Sequence, residues 1–286
     1  MDLTPRRTKY RIDAEQRYAE VLTNSREFFA AEEQLIKGID IYTDAVARRV
    51  ISTSPEAARL YADLGDLEFF VKSGDMGTAL DYYNRAERDG WSPPEMKYRM
   101  GAAYYQLGQW NQAQERFFTV SGEIPLNRRL LQALGNVSYM QHNYFAAEGY
   151  YQRLFEMLDA DRAHFPMLVP DEREDHLELA ERLMIVRNNM AVNLEALSDR
   201  TGDTKYRSRA LGHYAESERA WDLLTRDPDT MIRAGAENFA SPGVNLAYLN
   251  SRNTLYPVPG YEPQIYVQID RDVPEPSDWE RLLSSR

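Results

Sequence analysis

The sequence predicts an all-α protein built as a solenoid of stacked helix pairs, and three observations lead there. The first is a fixed period: Ala79, Ala113 and Ala147 stand 34 positions apart, and the same step joins Met76 to Trp110 to Tyr144, Tyr83 to Phe117 to Tyr151, and Ala86 to Val120 to Leu154. Self-similarity at periods of roughly 20 to 50 residues is the signature of repeat architectures. The second is that the recurring pieces, KSGDMGTALDYYNRA, QLGQWNQAQERFFTV and MQHNYFAAEGYYQRL, place apolar residues at helical spacing after a turn residue. The third is composition: 286 residues with 43% hydrophobic content can supply a sizeable core.

Each slot has a physical reason. Gly101 maps onto Gly135, and both let a first helix approach its partner closely; Ala79, Ala113 and Ala147 do the same from the second helix. Gly74 and Gly108 fall where the first helix ends, in the left-handed conformation that closes a helix at low cost. The aromatics fill the gaps between units, and Pro125 stops the second helix of its unit. These residues resemble the tetratricopeptide repeat, a 34-residue helix-turn-helix unit, over roughly residues 60 to 158. Departures are Leu67 in the first small slot, Ser138 for the third aromatic, His142 for the third loop glycine, and Asp159 where Pro125 would recur.

In chain order, residues 1–12 are expected to be an arm and 13–54 a helical cap or degenerate repeat, with FFAAEEQLIKGI and YTDAVARRVI as paired faces. Residues 55–158 hold three repeat units, and 159–178 an inserted loop broken by Pro166 and Pro170, with an acidic helix starting near Asp171. Residues 179–226 form a divergent fourth unit, with Ala191 and Ala210 as its small residues and seven extra residues in the turn around Gly202. The final stretch, 227–286, contains seven of the 14 prolines. It is expected to be a short helix, an extended segment LYPVPGYEPQIYVQIDRDVPEP, and a terminal amphipathic helix SDWERLLSS.

Chemistry is sparse. Cysteine is absent, which removes disulfides, thiolate metal sites and cysteine nucleophiles. None of the four histidines has a second ligand at metal-binding spacing, so no metal and no cofactor is expected. No phosphate-binding loop, dinucleotide fingerprint or nucleophile elbow occurs, and the carboxylates of DEREDHLELAE read as a solvated helix face. An enzyme is therefore not expected. The formal net charge of -11 argues against nucleic acid. No run of about 18 apolar residues occurs, so neither a membrane span nor a signal peptide is expected, and both the cytoplasm and the periplasm stay open.

The resemblance implies a concave surface lined by first helices that holds an extended peptide. Its lining would include Tyr61, Leu64, Tyr98, Tyr105, Arg129, Gln132, Asn136, Tyr139 and Asn189. Side-chain amides in that set can pair with N–H and C=O of an extended backbone. A carboxylate-gripping role like that of chaperone-binding relatives is disfavoured, because Leu64 and Glu68 stand where a lysine and an asparagine would be needed. The partner would be a protein segment, or the chain's own or a neighbouring copy's tail docking through Tyr256, Tyr261, Tyr266, Trp279, Leu282 and Leu283. An acidic, cysteine-free repeat chain with such a tail is also similar to the periplasmic flagellar-collar proteins of spirochaetes, which implies a structural subunit that associates through its tail.

Overall fold

A computed structural model of the chain describes residues 5–71, 75–124, 127–164, 173–225, 245 and 263–271. The described residues contain no strand; they form ten helices, packed as consecutive antiparallel neighbours within two units. The fold is a tetratricopeptide-like helix-turn-helix solenoid. Among these residues no helix is long and apolar enough to cross a membrane.

The first unit holds α1 (Pro5–Asn24), α2 (Phe28–Ala47), α3 (Pro55–Phe70), α4 (Met76–Arg88), α5 (Pro94–Gln106) and α6 (Trp110–Glu123). The second holds α7 (Arg128–Met140), α8 (Tyr144–His164), α9 (Arg173–Thr201) and α10 (Thr204–Thr225). The helix starts are set locally. Ser54 and Asn127 cap α3 and α7 by accepting from the amides of Ala57 and Leu130, and Asp75 accepts from Gly77 and Thr78 at the start of α4.

Three glycines set how closely the helices of a pair approach. A Cβ on Gly65 would sit 2.5 Å from the ring of Tyr83, on Gly101 2.6 Å from Phe117, and on Gly135 2.5 Å from Tyr151. These contacts correct the placing of Leu67 in the first small slot: Gly65 occupies it, because the turn between α3 and α4 is two residues longer than its counterparts. The residue after each glycine answers the aromatic. Tyr83 and Tyr151 donate their hydroxyls to Asp66 and Asn136 at 2.7 and 2.9 Å. Phe117, which has no hydroxyl, is matched by Ala102 at the same place.

Several boundaries differ from expectation. The segment from Pro5 onward is already helical, and FFAAEEQLIKGI and YTDAVA lie in one helix, α2, whose partner is α1. The expected inserted loop is helical through His164 and again from Arg173; residues 165–172 lie outside the described residues. The seven extra residues of the fourth unit are not in the turn, which is only Gly202 and Asp203; they lengthen α9 and α10 instead. His142 takes φ +58° in the turn slot that Gly108 fills at φ +70°, a strain that histidine bears better than most residues. Gly74, Pro125 and the terminal helix expected at SDWERLLSS lie outside the described residues.

In the first unit, charged pairs join successive repeats. Arg99 on α5 reaches both oxygens of Asp66 on α3 at 2.9 and 2.8 Å. Arg116 on α6 forms a two-point contact with Glu87 on α4, which holds the Glu87 carboxyl below the usual range.

Candidate functional site

The second unit presents a polar seam along α7 and α9, and residues 263–270 run along it. The sequence repeats itself across the two helices: RLLQALGN (129–136) on α7 and RLMIVRNN (182–189) on α9 both carry Arg at the first position and Asn seven residues on. A spacing of seven is close to two helical turns, so each Arg and Asn share one face.

These repeated residues grip the same two points of the segment. Asn136 Nδ2 donates to the Tyr266 carbonyl at 3.0 Å and Asn189 Nδ2 to the same oxygen at 3.3 Å. Arg129 Nε and Arg182 Nη1 each stand 3.2 Å from Asp270 Oδ2. Between these points Gln132 Nε2 donates to the Gln268 carbonyl at 2.9 Å; beyond them Asn188 and Asn245 donate to the Gln264 carbonyl at 3.2 and 3.3 Å.

The accepting carbonyls belong to residues 264, 266 and 268, the two-residue alternation of an extended backbone with one edge toward the helices. The segment runs opposite to α7 and α9, since residues 266, 268 and 270 meet α7 at 136, 132 and 129. Two extended residues advance about 6.6 Å and one helical turn about 5.4 Å, so a side chain per turn can meet every second carbonyl.

Asn189 also takes the only amide among these contacts: the Tyr266 N–H donates to its Oδ1 at 2.7 Å. One side-chain amide thus pairs with both main-chain groups of a single residue, as a neighbouring strand would. Asn136, Asn188 and Asn189 are at most 1% exposed. A net hydrogen bond of this kind contributes about 1 kcal/mol, whereas a buried amide left unpaired costs about 1–3 kcal/mol. Occupancy by a polar backbone therefore suits this seam, and an apolar occupant does not.

Side chains of the segment add shape. Ile265 is buried in a cluster with Ala191, Val192, Leu194, Leu197, Ala210 and Tyr214. Tyr266 packs with Met184, Ile185 and Leu224, and burial, then Glu181 and Asp270, push its phenol above the usual range. A cavity of about 240 Å³ remains beside Asp270, lined by Gln132, Glu181, Arg182, Ile185, Tyr266 and Gln268 among others.

The residues expected to line a groove are placed in different settings. Arg129, Gln132, Asn136 and Asn189 come together on residues 266–270. Tyr139 is half-buried, its ring 5.4 Å from that of Tyr144. Tyr61, Leu64, Tyr98 and Tyr105 are buried in the first unit. The rings of Tyr61, Tyr98 and Tyr105 pack on Tyr42, Phe117 and Trp110 with centroids 6.4, 5.2 and 5.1 Å apart, so they offer no open aromatic face. Of the expected tail contacts, Tyr266 lies on the seam, while Tyr256, Tyr261, Trp279, Leu282 and Leu283 lie outside the described residues. Arg182, Asn188 and Asn245 also contact the segment, and the sequence pattern did not point to them. The Arg-to-Asn spacing shared by α7 and α9 is the available signal for Arg182, hidden because the two copies are 53 residues apart and not 34.

Helix pairs packed in this way define a tetratricopeptide-type repeat protein by fold. The fold is similar to a crystal structure of the C-terminal part of a TPR repeat-containing protein from Cytophaga hutchinsonii, with a TM-score of 0.50 and 15% identity, covering 77% of this chain and 72% of that one. No protein-family model and no curated protein matches the sequence.

Proposed function

We propose that the chain is a non-catalytic interaction scaffold whose α7/α9 face holds an extended polypeptide segment, its own residues 263–270 in cis and a partner's segment in exchange. The observation that carries this reading is the alignment of Gln132, Asn136, Asn188 and Asn189 on alternate carbonyls of one extended stretch. Backbone carbonyls are present in every sequence, so a seam of amides fits polypeptide as a class of ligand.

The test is capture of protein partners from an extract of the source cell by the full chain, in the unaltered form and with Asn136→Ala and Asn189→Ala together. A partner that is retained by the unaltered chain, lost with the double variant and displaced by excess peptide 262–271 supports the reading. Retention that neither change diminishes overturns it. Light scattering on the same samples separates a partner from a second copy of this chain: a mass that doubles with concentration and falls on adding the peptide indicates self-association through residues 263–270.

A further inference from the structure

Which side chains of residues 263–270 are recognised, as opposed to their backbone, follows from where each is placed. Ile265 is 5% exposed against α9 and α10, and Tyr266 packs on Met184, Ile185 and Leu224, whereas Val267 is 46% exposed. Asp270 sits between two arginines at equal distances of 3.2 Å. Without a carboxylate there, Arg129 and Arg182 would converge on one point with no opposite charge from the segment, and a cation in that place would be repelled. Rejection of the wrong residue is as much a source of specificity as attraction of the right one. Ile265, Tyr266 and Asp270 are therefore the side chains the seam can select, while Gln264, Val267 and Gln268 stand exposed.

We propose that the α7/α9 face selects, in a partner protein, an extended acidic segment with an aliphatic residue, an aromatic residue directly after it, and a carboxylate four positions beyond the aromatic. Residues 265–270 carry this pattern and are its competitor in cis. The inference rests on the peptide-holding reading above and adds the chemistry of the segment held. A tethered competitor acts at a high effective concentration, so a free segment gains access chiefly when the cis copy is weakened or when a second contact raises the partner's own local concentration.

The test uses the full chain with Tyr266→Ala and Asp270→Asn together, which weakens its own segment, and a fluorescein-labelled synthetic peptide EPQIYVQIDR (residues 262–271) as probe. Circular dichroism checks that helix content is kept; if it falls, Asp270→Asn alone is the chain used. The altered chain is expected to bind the peptide at least tenfold more tightly than the unaltered chain does. A peptide carrying Asp270→Asn should bind about tenfold more weakly, in line with loss of a charge-assisted contact, and one carrying Val267→Thr within about twofold. Adding Arg129→Gln and Arg182→Gln to the chain should erase the preference for Asp over Asn. If Asp and Asn peptides bind equally well, the recognition pattern is overturned and the scaffold reading stands. If a fully helical altered chain binds none of the peptides, both are overturned.

Discussion

The Tyr151 hydroxyl donates to Asn136 Oδ1 at 2.9 Å in a buried site, and so decides which end of the Asn136 amide faces Tyr266. Oδ1 is taken, by Tyr151 and by Asn189 Nδ2 at 3.3 Å, which turns the NH₂ group toward the Tyr266 carbonyl. A residue on α8 thereby orients the contact that α7 makes with the segment.

Replacing Tyr151 with Phe keeps the ring against Gly135 and removes only that orienting hydroxyl. The expected cost is about 1 kcal/mol in urea unfolding. The Tyr266 amide should exchange with deuterium several times faster, while amides of the first unit are unaffected. Unchanged exchange at Tyr266 would show that Asn136 holds its orientation without help.

Helical glycines at a close crossing and helical glycines on an open face differ in kind, and alanine should tell them apart. Gly135→Ala forces a Cβ to within 2.5 Å of the Tyr151 ring and should cost about 1–3 kcal/mol by overpacking. Gly149, exposed in α8, and Gly212, exposed in α10, have nothing within 4 Å of the point where a Cβ would stand, so alanine there should stabilise by about 0.5–1 kcal/mol through helix propensity. Chemical denaturation of the three variants checks the signs.

Asp63 is pushed up to about 6, first by burial, against the opposing pull of the Gln16 hydrogen bond at 2.7 Å and of Arg59. The fold binds this proton more tightly than the unfolded chain does, so the group favours folding below about pH 4, and that contribution is lost as pH rises through 6. Its side chain keeps 29% of its surface, which reduces the effect. Asp63→Asn retains an acceptor for Gln16 and should stabilise by about 1–2 kcal/mol at pH 7 and by almost nothing at pH 4. An equal gain at both pH values would mean that ionisation is not the cause.

His213 moves the other way: burial, then Arg187 and Arg209, lower it to about 4. Between pH 6.5 and 4 the unfolded chain binds a proton that the fold refuses, so stability falls as pH falls through that window. Because the ring is partly exposed, the loss should be about 1–2 kcal/mol. In His213→Gln this part of the slope should disappear from a pH series of unfolding curves; an unchanged slope would assign it to other groups.

The period of 34 makes the helix pairs of the middle repeats readable, because close packing needs a small residue and an aromatic at fixed separations. Gly65 escapes that pattern because two extra turn residues shift it out of register, and Leu67 falls at the expected position instead. The aromatics are harder. Tyr98 and Tyr105 have the spacing of a groove face, yet their rings turn onto Phe117 and Trp110, a choice made by neighbouring volume and not by position along the helix. Among the amides, Gln132, Asn136 and Asn189 are poor core residues carried at turn spacing, and in this chain they meet the carbonyls of Gln268 and Tyr266. Asn245 lies far from the repeats in sequence, and nothing local foretells its contact with Asn188 at 2.8 Å.

The run of contacts along α7 behaves like a vernier, two scales of slightly different pitch laid side by side. Each rung advances about 6.6 Å on the segment and about 5.4 Å on the helix, so the two scales drift by about 1.2 Å per rung. Three rungs, at Asn136, Gln132 and Arg129, accumulate a slip that long flexible side chains can take up, and the longest of them stands at the far end. A fourth or fifth rung on one straight helix would fall out of step. Here α7 and α9 instead meet the segment at the same two points, the Tyr266 carbonyl and Asp270, and α9 adds one further rung at the Gln264 carbonyl through Asn188.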